Sequence, residues 1–365
     1  MKKILYKVPA NFTDENYLSK LADCNNKYAD YDTKIAETYG SVSSSYIGNA
    51  RTSSHLPDVT LADIEKYLNE SNSVGIDFNY TINSSWSNGL EFTQEGKDKI
   101  IEELFQLEKI GIKKVTVCSP GILHIIKKRF SSFDICLSTN LYISSLHELQ
   151  RWETEGIKTV VLNRHINRDF DLLKSMNNSK IQLEILINSM CNLYCSLKFY
   201  HNLVNCAQSN VTSERWTTYF PQSLCTKYNL KNPIETLCCS WVRPEDMDFY
   251  CDRFGINLFK IDGRSLESEH LLSIIESYMA KFHDGNFYDL FDFFNTRRKT
   301  QVNLYLDNRE LDGFIEQICK SNISCRLCGG HNELCKSLSS KIMILNKNNA
   351  KVYEKMLENN IKKEF

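Results

Sequence analysis

Short β-branched runs alternate with longer amphipathic stretches over roughly the first 280 residues. Runs at 4–10, 34–37, 74–80, 113–118, 134–138, 158–163, 181–187 and 257–261 make eight candidate strands. Several are continuously apolar, as parallel strands covered on both faces tend to be. Between them apolar positions fall three and four apart. The clearest case is 96–110, where Ile100, Ile101, Leu104, Phe105, Leu107 and Ile110 form one stripe of a helix. Gly111 follows as a C-terminal stop. The phrases EKIGIKKVTV and ETEGIKTVVL repeat the same helix–Gly–strand joint.

Eight strand–helix units predict an α/β fold of the TIM-like (β/α)8 barrel type, with an open doubly wound sheet as the alternative. No Gly-x-Gly-x-x-Gly turn or P-loop follows any strand, so nothing points to nucleotide binding. One connection is far too long for an ordinary βα loop. The segment 188–256 separates strands seven and eight, and long insertions at that face of a barrel usually carry function. After residue 283 the pattern changes to aromatic and then charged helical stretches. The predicted organisation is therefore a barrel over 1–283 containing the insertion, and a mainly helical region over 284–365.

Composition narrows the class without naming a chemistry. Apolar residues make up 42% of the chain, enough for a full core. The 44 basic and 45 acidic residues leave a net charge of −1, which excludes an obligately basic surface but allows a local basic groove. The charged start Met1-Lys2-Lys3 imitates a signal peptide, yet Lys7 and Pro9 break the apolar run that would follow. No stretch reaches the ~18 apolar residues of a membrane span. A cytoplasmic, reducing location is expected. Fourteen cysteines there read as buried thiols, metal ligands or redox groups rather than disulfides.

Their placement is uneven. Cys191, Cys195, Cys206, Cys225, Cys238, Cys239 and Cys251 fall within 61 residues just after strand seven. Thiolates three residues apart, as in Cys191-x3-Cys195, can face one site from a single helical turn. A cysteine-only set suits an iron–sulfur cluster or zinc, and the spacing is unlike the compact Cys-x2-Cys ribbon of a zinc finger. Buried structural thiols are the alternative.

The surrounding residues carry a resemblance. Asn188, Cys191, Cys195, Lys198 and His201 are followed by Trp241-Val242-Arg243-Pro244-Glu245-Asp246 and Phe259-Lys260-Ile261-Asp262-Gly263-Arg264. In this order the segments resemble the collagenase-like peptidase family U32, over about residues 70 to 280. Met190 and Ser196 stand where that family often has Gly and Pro. The resemblance implies a barrel with a 4Fe–4S cluster that supports hydroxylation of tRNA, ribosomal RNA or a quinone precursor. It implies Cys191 and Cys195 as ligands, with Cys206 and Cys225 completing the set and Cys238, Cys239 and Cys251 as alternates. An electron donor and a sister protein of the same family are the partners it suggests.

Other residues offer chemistry of their own. Lys260 and Arg264 flank strand eight, where they would either hold a phosphate or carboxylate or join an ion-pair network. Arg243-Pro244-Glu245-Asp246 reads first as such a network, because Pro-Glu-Asp makes a good first helical turn. His201 could ligate, shuttle a proton or simply pack, and His165 beside Arg164 has the same choices. Lys260, Arg264 and His201 are the catalytic candidates. A second cluster, Cys319, Cys325, Cys328 and Cys335 with His331 as an alternate, suits zinc or a second iron–sulfur centre.

Three functions follow. The first is an iron–sulfur protein that hydroxylates or otherwise modifies RNA or a small aromatic precursor. The second is a peptidase of the U32 type. The third is a non-enzymatic partner with structural metal centres. No Gly-x-Ser-x-Gly elbow or His-Glu-x-x-His pair supports hydrolysis. A Cys–His nucleophile using Cys118 or Cys191 ranks well below metal ligation.

Overall fold

In the computed structural model, residues 3–213, 220–294, 302–321 and 332–364 are described. Eight parallel strands close into a barrel in which each pairs with the next and the last with the first. In chain order the elements are β1 (Ile4–Pro9), α1 (Tyr17–Lys27), β2 (Thr33–Gly40), α2 (Leu61–Ser73), β3 (Asp77–Ile82) and α3 (Gln94–Lys109). Then come β4 (Lys114–Val117), α4 (Pro120–Arg129), β5 (Asp134–Leu137), α5 (Leu146–Thr154), β6 (Thr159–Val161), α6 (Phe170–Met176) and β7 (Gln182–Leu186). The barrel closes with β8 (Leu258–Lys260) and α11 (Ser268–Ala280). The eight expected strands are all present, and the open sheet is excluded.

Local sequence explains the joints. Helix α3 begins two residues before the expected start because the Thr93 side chain accepts the Gly96 N–H as a cap. Gly111 and Gly156, the glycines of the repeated phrases, both sit at positive φ (90° and 76°), where a side chain would be strained.

The strands alternate more strictly than their apolar look suggests. Tyr6, Phe78, Tyr80, Val115, Leu137, Ile185 and Phe259 belong to the apolar layer beneath the helices. The phenol of Tyr6, for example, donates to the Tyr278 carbonyl of α11 at 2.8 Å. The opposite faces carry Lys7, Glu37, Asn79, Thr116, Glu184 and Lys260, all buried. Lys7 lies 3.1 Å from Glu37 and 2.9 Å from Glu184, while Lys260 lies 3.6 Å from Glu184. A barrel of this kind is usually filled by branched apolar side chains; here it is filled by matched charges.

The insertion after β7 folds into α7 (Lys198–Gln208), α8 (Phe220–Lys231), α9 (Ile234–Leu237) and α10 (Met247–Phe254). Beyond the barrel lie β9 (Asn303–Tyr305), α12 (Phe314–Lys320), α13 (Glu333–Ser339), β10 (Met343–Leu345) and α14 (Lys347–Glu364). The expected helical region thus includes a two-stranded antiparallel sheet of β9 and β10. Lys227 of α8 pairs with Glu358 of α14 at 2.8 Å. Arg243, buried, donates to the Asn308 carbonyl at 2.9 Å and pairs with Asp312 at 3.1 Å and Asp246 at 3.5 Å. Arg243 is therefore a tie between the insertion and the C-terminal region. No described helix is long and apolar enough to cross a membrane.

Candidate functional site

The chain leaving β7 turns sharply over the barrel's C-terminal end. Residues 191–197 form a loop, not the helical turn the Cys-x3-Cys spacing suggested, and α7 starts only at Lys198. The Cys195 N–H donates to the Asn192 carbonyl at 3.3 Å, and Tyr194 takes a left-handed φ of 57°. A non-glycine residue there is uncommon and costs free energy. The backbone after α9 lies alongside, with Asn192 bridged to Cys239 and the Ser240 N–H donating to the Cys191 carbonyl at 3.2 Å. Two cysteines distant in sequence are thereby fixed side by side.

Cys225 reaches the same place from α8. The thiols of Cys225 and Cys239 each lie 3.7 Å from the Asn192 side-chain oxygen. Burial pushes the Cys225 thiol up to about 12, with further lifts from Cys191 and Cys195. Burial raises Cys239 too, and Cys225 and Cys191 add to it. Cys191 is raised by burial and by Cys195, against the pull of Arg164 and Lys198. The thiols of Cys225 and Cys239 thus share the Asn192 amide, the Cys191 sulfur lies 4.0 Å from the Asn192 carbonyl, and Cys195 is tied to that same carbonyl through its N–H. Among the described residues no three Cys, His, Asp or Glu side chains stand close enough to chelate a single ion. The thiols form an open group rather than a closed cage.

The remaining cysteines go elsewhere. Cys206, expected as a ligand, is on the buried face of α7, where its sulfur accepts the Ser85 N–H at 3.3 Å; Cys118 is its thiol neighbour. Cys251 on α10 sits among Asp248, Asp252 and Lys281, and burial raises it to about 12. Adjacent Cys238 and Cys239 diverge, since the Cys238 thiol donates to the Ile234 carbonyl at 3.4 Å. Cys238 also meets Cys335 of α13, whose pKa it lowers through a side-chain hydrogen bond. Cys319 lies on α12, half-buried. Cys325, Cys328 and His331 lie outside the described residues.

The histidines separate cleanly. Nε2 of His165 is 3.3 Å from the Cys191 sulfur, and its Nδ1 is buried without a partner. Burial, then Arg164 and Lys198, depress it to about 3, so it is neutral. His201 is depressed to about 4 by burial and by Arg164 and Arg51. It faces the second half of the mouth, which is built from arginines.

There Arg51 pairs with Asp262, and the Asp262 backbone N–H donates to the Asn188 side chain at 2.6 Å. Burial would raise Asp262, but Arg51 first, then Arg164 and Arg264, hold it at about 2. Arg264 donates to Thr81 Oγ1 at 3.1 Å and to the Asn49 carbonyl at 3.0 Å, and burial lowers its pKa to about 10. Lys260, by contrast, is inside the barrel, with its ammonium 3.7 Å from the centre of the Tyr39 ring. Arg51 had no signal in the hydrophobic pattern. The long segment between β2 and α2, which carries it, was the available hint.

The family profile and one solved structure agree with this architecture. The sequence profile of peptidase family U32 matches residues 42–286. An uncharacterized protease of Methanocaldococcus jannaschii is 27% identical over 300 residues, covering 82% of this chain and 86% of that protein. Among solved structures, a U32 peptidase covers 72% of this chain and 94% of its own, at 11% identity and a TM-score of 0.51. An N-(5'-phosphoribosyl)anthranilate isomerase from Pyrococcus furiosus reaches a TM-score of 0.38 at 9% identity, over 76% of this chain and 98% of its own. With the profile covering most of the barrel, its insertion and the thiol-bearing loop, the chain belongs to peptidase family U32.

Proposed function

We propose that this chain is an iron–sulfur protein that takes part in hydroxylating or otherwise modifying RNA or a small aromatic precursor. One observation carries the reading: Cys191, Cys195, Cys225 and Cys239 gather around Asn192 at the C-terminal mouth of the barrel, where barrel enzymes do their chemistry. The donor set fits the group. It is all sulfur, with His165 against one thiol, and it is open. A single zinc at ~2.3 Å from each sulfur draws its thiolates close together. A cluster of several irons holds them farther apart.

When bound, a 4Fe–4S cluster supplies one-electron transfer or oxygen-atom delivery. The rest is done by the chain. The four cysteines lose their protons on ligation, which relieves the burial and repulsion that keep them protonated otherwise. Before ligation the Asn192 side-chain oxygen accepts from the Cys225 and Cys239 thiols and so gathers them, and neutral His165 holds Cys191. The buried Trp241, its ring 4.0 Å from the Arg168 guanidinium, anchors the segment in which Ser240 pairs with Cys191. A second centre at Cys319, Cys325, Cys328 and Cys335, as zinc or another cluster, remains part of the proposal. Cys335 brings Cys238 to it as a further thiol.

Protein purified without oxygen is expected to be brown and to carry about four irons per chain at the first site. Cys195→Ala and Cys239→Ala should each lower the iron, while Cys206→Ala should leave it unchanged. Colourless protein with stoichiometric zinc would sink the reading. Comparing modified nucleosides in cells with and without the chain then tests the RNA substrate.

A second reading, peptide hydrolysis, is favoured by the 3.3 Å contact between His165 and Cys191. It needs a thiolate at Cys191, yet burial raises that thiol and depresses the histidine, so the pair stays neutral. Peptide cleavage that survives in iron-free protein and vanishes in Cys191→Ala would establish it.

A further inference from the structure

The arginines of the mouth hold more positive charge than their surroundings answer. Arg51 comes from the long β2–α2 segment, Arg164 from the turn after β6, and Arg264 from the end of β8. Hydrogen bonds chain the three together. Arg51 pairs with Asp262, and Asp262 is clasped by Asn188, which accepts its N–H at 2.6 Å and donates to its carbonyl at 2.9 Å. Ser189, the next residue, receives Arg164 at 3.5 Å. Arg264 returns to the Arg51 segment through the Asn49 carbonyl at 3.0 Å.

Carboxylates do not match these cations. Asp262 is bonded to Arg51 alone, and Asp292, held by Ser265 at 3.1 Å, acts on Arg51 from farther off. Arg164 and Arg264 make no ion pair among the described residues; their partners are hydroxyls and a carbonyl. Nε of Arg264 is buried with no partner among the described residues. His201, which faces Arg51 and Arg164, is neutral and adds no counter-charge. A cavity of about 180 Å³ reaches Arg264 but is lined by neither Arg51 nor Arg164; Thr13, Ser41, His55 and Glu267 line it. All three guanidiniums are half-buried, and a partly buried guanidinium bonded only to neutral oxygens keeps its charge unanswered.

We infer that Arg51, Arg164 and Arg264 form an oxyanion subsite that holds a carboxylate or phosphate group of the molecule processed at this mouth. Planar guanidinium forks suit both groups, and fixed forks lose little freedom on binding. Arg164 ties the subsite to the thiols, because it reaches Ser189, two residues before Cys191, and precedes His165, whose Nε2 lies 3.3 Å from the Cys191 sulfur. The held anion would therefore place the rest of the substrate toward the thiol loop. This deepens the proposed function and rests on the mouth being the reacting site.

Calorimetric titration of the full chain with malonate, and separately with inorganic phosphate, tests it against chloride at equal ionic strength. One or both probes should bind saturably; phosphate alone assigns a phosphate group, malonate alone a carboxylate, and both assign a subsite open to either. Arg51→Gln and Arg164→Gln should each weaken binding about tenfold, the loss of one charge-assisted contact. Arg164 makes a single long contact, so its variant should fold even if Arg264→Gln does not. Exposed Arg309→Gln, which loses only its pairing with Asp307, should change nothing. Absence of saturable binding, or binding indifferent to both mouth variants, overturns the subsite. Iron is counted on the same samples: anion binding without iron sinks the cluster alone, and iron without anion binding sinks the subsite alone.

Discussion

The inside of the barrel and its C-terminal mouth are both polar, but they are polar in opposite ways. Inside, every cation has its carboxylate: Lys7 lies between Glu37 and Glu184, Lys260 beside Glu184, and Lys114 beside Glu37 and Asp77. Burial works against an ionised Glu184, yet Lys7 and Lys260 outweigh it and keep its pKa low. At the mouth Asp262 is the one carboxylate near three guanidiniums and is bonded only to Arg51, while the uncharged thiols of Cys225 and Cys239 meet at Asn192 beside Cys191. Charges that satisfy each other hold a fold. Groups left unsatisfied on a rigid rim are a place for something else to bind.

This contrast can be broken from the inside first. Glu184→Leu leaves Lys260 with no carboxylate and Lys7 with one, and should cost about 3–5 kcal/mol, the usual loss when one partner of a buried pair is removed. Urea denaturation would read it. A loss well under about 1 kcal/mol would mean the interior charges are as loosely coupled as a surface pair.

Asp262 sharpens the mouth side. Its folded pKa of about 2 lies below the ordinary carboxylate value, so its contribution is present above about pH 4 and is lost as pH falls through 2. The size is about 2 kcal/mol. Asp262→Asn should flatten the stability profile over that acid window while leaving its shape near neutrality. An unchanged acid limb would show that the arginines do not act on Asp262 as their geometry implies.

The smallest expected effect is at Asn192. Asn192→Ala removes a weak acceptor from Cys225 and Cys239 and a 3.1 Å hydrogen bond to Asn229. Metal-free protein should lose about 1 kcal/mol, a typical hydrogen-bond loss. Iron binding should weaken further than that figure, because the loop that aligns Cys191 with Cys239 loses its pin. Thermal unfolding with and without iron separates the two.

Strand count and order were legible because a parallel strand is short, β-branched and bounded by amphipathic helices, and each of those is a local property. Gly111 and Gly156 announced their turns for the same reason, as only glycine enters a left-handed turn at no steric cost. The polar filling of the barrel was harder to see. Its residues alternate with apolar ones inside strands of three to eight residues, too short for a period of two to stand out.

The chemistry divides along the same line. The sequence by itself determined the eight-unit barrel, the position of the long insertion after strand seven, and the thiol-rich loop containing Cys191 and Cys195. Those follow from local propensity and from kinship carried by contiguous motifs. Only the tertiary structure decided that Cys239 and Cys225 approach that loop while Cys206 turns to Ser85, and that Arg51 joins Arg164 and Arg264. Thiols and guanidiniums from four different loops share no periodicity. They meet because closure of the barrel brings every strand's C-terminal end to one rim, and one-dimensional spacing does not record that closure.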